Sequence, residues 1–265
     1  MNVSISLEIL KANSANIPRS RTPFKQILSA WDVSGENVIS FLRNKLVSLD
    51  LKVEDAEASR VILKPPPSWV GKKSVKEKAY QRAFYNSRKS ILKRAVTSLD
   101  IEVTWLDFEM PVSKKPKLKF DLIGQNDGDL ILAELKGPGG ESPFYALWEA
   151  LRYARYIEKS RQRWGLPYRK SAGDYWRSDK ALKHLIVAGP AEGYWGKSAL
   201  DGNSWWGHRN KLKQVTTELK KISECQFDII FAHFPDEDFA AQAAISEGHY
   251  EPYCRTPVIW HELPD

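Results

Sequence analysis

The chain has 265 residues, 42% of them hydrophobic, and carries a net charge of +7 with a pI near 9.2. That length suggests one large domain or a core with a smaller accessory piece at roughly 150 residues per domain, and that apolar content argues against wholesale disorder. No run of about 18 apolar residues predicts a membrane span, and Met1–Leu7 lacks the basic and apolar regions of a signal peptide.

Cys225 and Cys254 are the only cysteines, too few for a disulfide scaffold and without zinc-ligand spacing. A reducing, cytoplasmic setting is the expected one. The positive charge favours polyanionic partners, because basic residues gain affinity by releasing phosphate counterions. Ordinary solubilising charge is the alternative that net charge alone leaves open.

In chain order, residues 1–66 read as a small N-terminal accessory region suited to binding substrate or a partner. It holds a strand pattern from Val3 to Leu10, helix starts at Thr22-Pro23 and Ser34, and a possible strand from Arg60 to Leu63. Pro65-Pro66-Pro67 marks the boundary, and residues 67–265 form the main domain. A basic helix is expected from Ser74 to Thr97, with Tyr80, Phe84, Ile91 and Leu92 near one face. Lys72, Lys73, Lys76, Arg82, Arg88 and Lys89 within or before it make a candidate phosphate track, or else a solvated face.

Ile101–Leu106 alternates as a strand does. Leu118–Ile123 and Leu130–Lys136 read as two more, joined at Gln125-Asn126-Asp127-Gly128, whose residues tolerate positive φ. Gly137–Gly140 ends the third strand, and Ser142-Pro143 opens a helix to about Lys159, with Ser as N-cap. Arg161–Lys180 looks like a loop insertion. His184–Ala188 is a buried-strand pattern, Arg209–Ile222 an amphipathic helix, Phe227–Ala232 a strand, and Val258–Trp260 a last one. The order points to an α/β sandwich around a mixed sheet.

Glu134 and Lys136 are two apart on a strand, so they share a face. The strand is otherwise apolar, and burying ions costs several kcal/mol unless they are paired or bind a metal. Folding the hairpin at about Asn126-Asp127 brings Asp121 near Leu132 or Ala133, within approach of Glu134. Two close carboxylates suit a hard divalent cation, and magnesium typically takes one or two carboxylates with water and phosphate. Lys136 would add a positive charge beside a phosphoryl transition state.

Asp121, twelve intervening residues and then Glu134-Leu135-Lys136 resembles the signature of the PD-(D/E)XK nuclease superfamily, and the element order resembles its core. The resemblance covers roughly residues 74–235. It implies a restriction-endonuclease-like mixed sheet flanked by helices, with Asp121, Glu134 and the backbone carbonyl of Leu135 as metal ligands. Lys136 would be the catalytic lysine. It implies a Mg²⁺-dependent deoxyribonuclease, with Mn²⁺ able to substitute, acting on DNA rather than RNA and free of membranes. A homodimer would suit cutting of both strands.

Supporting positions are Glu77 in the first helix and Glu149 and Tyr153 in the helix after Lys136. The latter two resemble the Gln-x-x-x-Tyr element of the exonuclease-like branch, with Glu for Gln; Arg152 is expected on the same face, where it would meet a phosphate. Phe120 stands where the name-giving proline would be. Glu149 with Arg152 also reads as a helix-surface ion pair, and Glu77 as an intrahelical partner of its lysines. Asp127 and Asp129 serve the turn, and His184 is structural. Trp195, Trp205 and Trp206 fill a gap or, less favoured, form a stacking platform; His208, beside Trp205-Trp206 and Arg209, belongs to a packed aromatic loop or, less favoured, touches substrate. The competing reading is a nucleic-acid-binding or assembly protein without turnover. No Gly-x4-Gly-Lys-Ser/Thr loop supports a nucleotide-processing phosphatase.

Overall fold

The computed structural model describes residues 76–87, 89–95, 97, 99–111, 119–161, 181–198, 204–220, 226–235 and 257–264. The N-terminal accessory region, Lys72, Lys73, Arg88, both cysteines and the 162–180 insertion lie outside these residues.

Helix α1 spans Lys76–Asn86 and is followed by β1 (Lys89–Lys93) and β2 (Ile101–Pro111). Strands β3 (Lys119–Asn126) and β4 (Asp129–Leu135) form the hairpin, and α2 (Pro143–Arg161) leads to β5 (Leu182–Pro190). A 3-10 turn at Trp206–His208 opens α3 (Arg209–Lys220), and β6 (Asp228–Phe234) and β7 (Val258–Glu262) complete the order. None of the described helices is long and apolar enough to cross a membrane.

The expected helix from Ser74 to Thr97 is two elements. Ser87 ends the first, its hydroxyl donating to the Phe84 carbonyl at 2.6 Å and competing with the helical ladder. Ser90 and Leu92 are then buried while Lys89 and Lys93 are exposed, a strand's period of two that a helical reading of Ile91-Leu92 conceals. Lys89 is consequently on β1, ion-paired with Glu102 at 2.6 Å, and not on a helical phosphate track.

The expected open mixed sheet flanked by helices is also corrected: the seven strands close into a barrel in chain order. Closure depends on β7, which runs parallel to β1 and antiparallel to β6. A short C-terminal strand that pairs on both edges joins the two ends of what would otherwise be an open sheet, and nothing in its five residues announces two partners. The pairing is mixed, with β4, β5 and β6 parallel to one another.

Two apolar clusters lie on the two faces of this sheet. One draws on all seven strands, through Leu92, Trp105, Leu122, Ile131, Ile186, Ile230 and Trp260, and is therefore the inside of the ring. Helix α1 contributes Phe84 to it, with ring centroids 5.0 Å from Trp260 and 5.3 Å from Phe234. The outer cluster holds Leu132, Leu185, Val187, Ile229 and Phe231 beneath α2 and α3, including Leu147, Leu151 and Leu212.

The hairpin forms as its residues predict, through a two-residue turn at Asp127 (φ 48°) and Gly128 (φ 85°), the positive-φ pair that type I′ geometry requires. Asn126 pairs with Asp129 and Leu122 with Ala133, so Asp121 stands next beyond Ala133, beside Glu134. The turn is therefore one residue later than expected. Asp129 begins β4 and meets Lys183 at 3.2 Å.

Candidate active site

Strand β4 alternates between the two clusters. Ile131, Ala133 and Leu135 point into the ring, and Leu130 and Leu132 point outward beneath α2. Glu134 follows Leu132 on the outer face. Lys136, just past the strand, turns back to it, Nζ donating to Glu134 Oε1 at 2.8 Å.

Helix α2 supplies the next groups. Its start is fixed by the predicted cap, Ser142 Oγ accepting from the Tyr145 N–H at 3.1 Å. One turn later Glu149 meets Lys136 Nζ at 3.2 Å, and it accepts from the Tyr153 hydroxyl at 3.1 Å. The i, i+4 spacing places Glu149 and Tyr153 on the same face. Arg152 takes a different course, its guanidinium 5.6 Å from the centre of the Trp148 ring. The surface ion pair is thus not the role Glu149 plays.

Asp121 enters from β3. Its Oδ2 accepts from the Leu135 N–H at 2.7 Å and its Oδ1 from Gln81 Nε2 at 2.6 Å. Glu77, one helical turn before Gln81, acts electrostatically on Lys136 and packs against Gly137. Helix α1 therefore reaches the site through two side chains. Of Leu135, it is the N–H that the structure assigns a role here, in holding Asp121.

Two residues are additional to those the sequence singled out. Gln81 was legible in hindsight, because it lies four residues after Glu77 on one helix. Glu141, whose Oε2 is 3.4 Å from Lys136 Nζ, sits in the loop before α2, where no periodicity marks it.

The electrostatics are lopsided: Glu77, Asp121, Glu134, Glu141 and Glu149 surround one ammonium. Asp121, Glu134 and Lys136 are 8%, 3% and 3% exposed. Burial raises the Asp121 and Glu134 carboxyls well above their ordinary range, and for Glu134 the neighbouring Asp121 pushes further the same way. Burial raises Glu77 as well. Burial alone would pull Lys136 down, but Glu134, Asp121, Glu149 and Glu77 outweigh it and hold the ammonium protonated. Tyr153 is pushed up by burial and by Glu149, so its hydroxyl keeps its proton.

Among the described residues, no three His, Cys, Asp or Glu side chains converge as a ready-made metal shell. A magnesium ion does not require one, since it commonly takes one or two carboxylates and keeps water and phosphate for the rest. The donor set fits that pattern. Glu134 Oε2 is buried without a hydrogen-bond partner, and a buried acceptor left unpaired costs about 1–3 kcal/mol or more when charged.

Trp195, Trp205 and His184 are packed into the fold. Trp195 and Trp205 are buried, with the Trp195 indole donating to the Ala232 carbonyl at 2.9 Å, so both fill the outer cluster. His184 is buried 3.7 Å from Asp228, and burial lowers it to about 4. Lys76 and Arg82 lie on α1.

Comparison with protein-family models, curated proteins and solved structures found no match to this chain.

Proposed function

We propose that the protein is a divalent-cation-dependent nuclease hydrolysing phosphodiester bonds in DNA, using the Asp121, Glu134 and Lys136 chemistry of the PD-(D/E)XK superfamily. One observation carries the reading: a carboxylate pair is buried at the end of an apolar strand beside a single lysine, with Glu134 Oε2 unpartnered. As a purely structural device this arrangement is expensive, because buried carboxylates outnumber the cation that compensates them. A divalent ion removes the imbalance.

Asp121 and Glu134 would hold the ion, Asp121 being kept in place by Gln81 and the Leu135 N–H. Magnesium bound there would supply a water of lowered pKa and polarise the phosphate. Lys136, protonated and fixed by Glu134, Glu141 and Glu149, places positive charge where a pentavalent phosphate gains negative charge. Tyr153 orients Glu149 through its hydroxyl and so fixes the position of Lys136 indirectly. Glu141 and Glu149 are the more exposed groups around Lys136, with side chains 34% and 20% accessible, and mark the side from which substrate enters.

The near-complete burial of Lys136 favours a second reading, a nucleic-acid-binding or assembly protein in which the cluster is a structural ion network without turnover. Incubation of linear, circular and single-stranded DNA, and of RNA, with magnesium, manganese or EDTA separates the two. The nuclease reading expects metal-dependent cutting that Lys136→Ala abolishes. Intact substrates under every condition would establish the second reading.

A further inference from the structure

An acidic site repels the phosphodiester it is meant to cut, so a nuclease with five carboxylates around one lysine needs a separate cationic surface to hold its substrate. The strand register shows where one lies. Leu135 pairs with Ala188, so Lys136 is level with Gly189; Gly189 pairs with His233, and His233 with His261. These four positions form one row across β4, β5, β6 and β7. His233 lies two residues after Phe231, and Gly189 two after Val187, both members of the outer cluster. The row therefore runs along the face that carries Glu134 and Lys136. Three strand spacings of about 4.8 Å put its far end about 14 Å from the lysine.

The groups along this row differ from those at the site. His233 and His261 stack with centroids 5.3 Å apart and planes 20° from parallel. Trp206 meets His233 edge-on at 5.1 Å, and Lys197 Nζ lies 5.2 Å from the Trp206 ring centre. The Arg209 guanidinium is 6.0 Å from the same ring. Trp206 is anchored by its N–H donating to the Trp195 carbonyl at 2.9 Å. Between Lys136 and His233 the Tyr194 ring roofs the row: a Cβ on Gly189 would lie 2.4 Å from it, so only glycine lets that ring close over the strand. Burial and then the charges of Lys197 and His261 bring His233 to about 4. His261 is also lowered, by burial first and then by Lys197 and Lys93, with Asp100 acting the other way.

We propose that Trp206, His261 and Lys197 form a binding subsite for an unpaired nucleic-acid strand, which stacks a nucleobase on the rings and sets a phosphate against Lys197, beside the bond presented to Lys136. The inference rests on the nuclease reading for its substrate. Aromatic rings interleaved with cations are the usual means of holding single strands without reading their sequence. Lys197 and His261 are exposed, so ligand reaches both.

The test is fluorescence anisotropy of a labelled single-stranded DNA oligonucleotide and its duplex, titrated with the full chain in EDTA, so that turnover does not interfere. Wild type should bind the single strand more tightly. Trp206→Ala and His261→Ala should each weaken it about 10-fold. Lys197→Ala should also lower the slope of log affinity against log salt by about 0.7. Because His261 and Lys197 are exposed, their variants retain the fold and report on binding even if Trp206→Ala does not. Unchanged affinity and salt slope in both, or preference for the duplex, would overturn the subsite, whatever cleavage assays show. Weakened binding by these variants, in a protein that cuts nothing, would support the subsite while ending the nuclease reading.

Discussion

The inside of the barrel and the outer end of β4 are built from the same strand and obey different rules. Ile131, Ala133 and Leu135 point inward to a cluster of rings and aliphatic side chains, where Phe84, Trp105 and Trp260 lie within 6 Å of one another. Outward, Leu132 is followed by Glu134, and at that level the apolar packing gives way to buried charge. Each residue on the inside lowers the free energy of the fold by leaving water. At the strand's outer end the chain keeps groups that raise it, and local conflict of that kind is expected where function has overridden stability. The two regions should therefore respond to mutation in opposite senses.

The largest separation is expected in activity. Asp121→Ala, Glu134→Ala and Lys136→Ala should each lower DNA cleavage about 10²- to 10³-fold or more, measured as initial rates, while far-UV circular dichroism stays that of wild type. Retained cleavage by the Glu134 variant would remove the roles assigned here.

In stability the inside should dominate. Phe84→Ala and Trp260→Ala delete fully buried rings and should cost about 3–5 kcal/mol in urea denaturation. The same changes leave every donor of the acidic cluster in place, so any folded fraction should still respond to magnesium. Gly189→Ala, on the outer face, sets a methyl against the Tyr194 ring and should cost about 1–3 kcal/mol. A neutral effect there would show that the ring is free to move aside.

The acidic cluster should run the other way. Asp121 and Glu134 have carboxyls raised above their unfolded values, so the folded state holds their protons more tightly. Their contribution to stability is present at low pH. It is lost as pH climbs from the ordinary carboxylate range through the raised folded values. Metal-free protein should therefore lose melting temperature as pH rises across that window. Glu134→Gln, which removes one surplus charge, should flatten the dependence. A steeper loss in the variant would mean that the Glu134–Lys136 pair outweighs the repulsion.

The smallest effect is expected at Tyr153. Tyr153→Phe deletes one hydrogen bond to Glu149, worth about 1 kcal/mol, and should reduce kcat modestly with KM unchanged.

Much of the site was legible because strand alternation and turn chemistry are local. The two-residue spacing of Glu134 and Lys136, the presence of a hairpin turn within Gln125–Gly128 though not its register, and the i, i+4 pair Glu149 and Tyr153 each follow from a short window of sequence. Closure of the barrel was not legible, because it depends on β7 meeting β1 some 170 positions away, as at Leu92 and Trp260. Strand β1 was hidden for a related reason: Ile91-Leu92 satisfies a helical stripe and a buried strand equally, and the Ser87 hydroxyl decides between them. Glu141 was missed because a loop has no period from which to read a direction.

If the buried carboxylates form a cation site, thermal unfolding against magnesium at neutral pH should report it. A ligand that binds only the folded state raises the melting temperature with its concentration. Wild type should show a concentration-dependent rise and Glu134→Gln none. No shift in wild type, or an equal shift in both proteins, would contradict a cation site there.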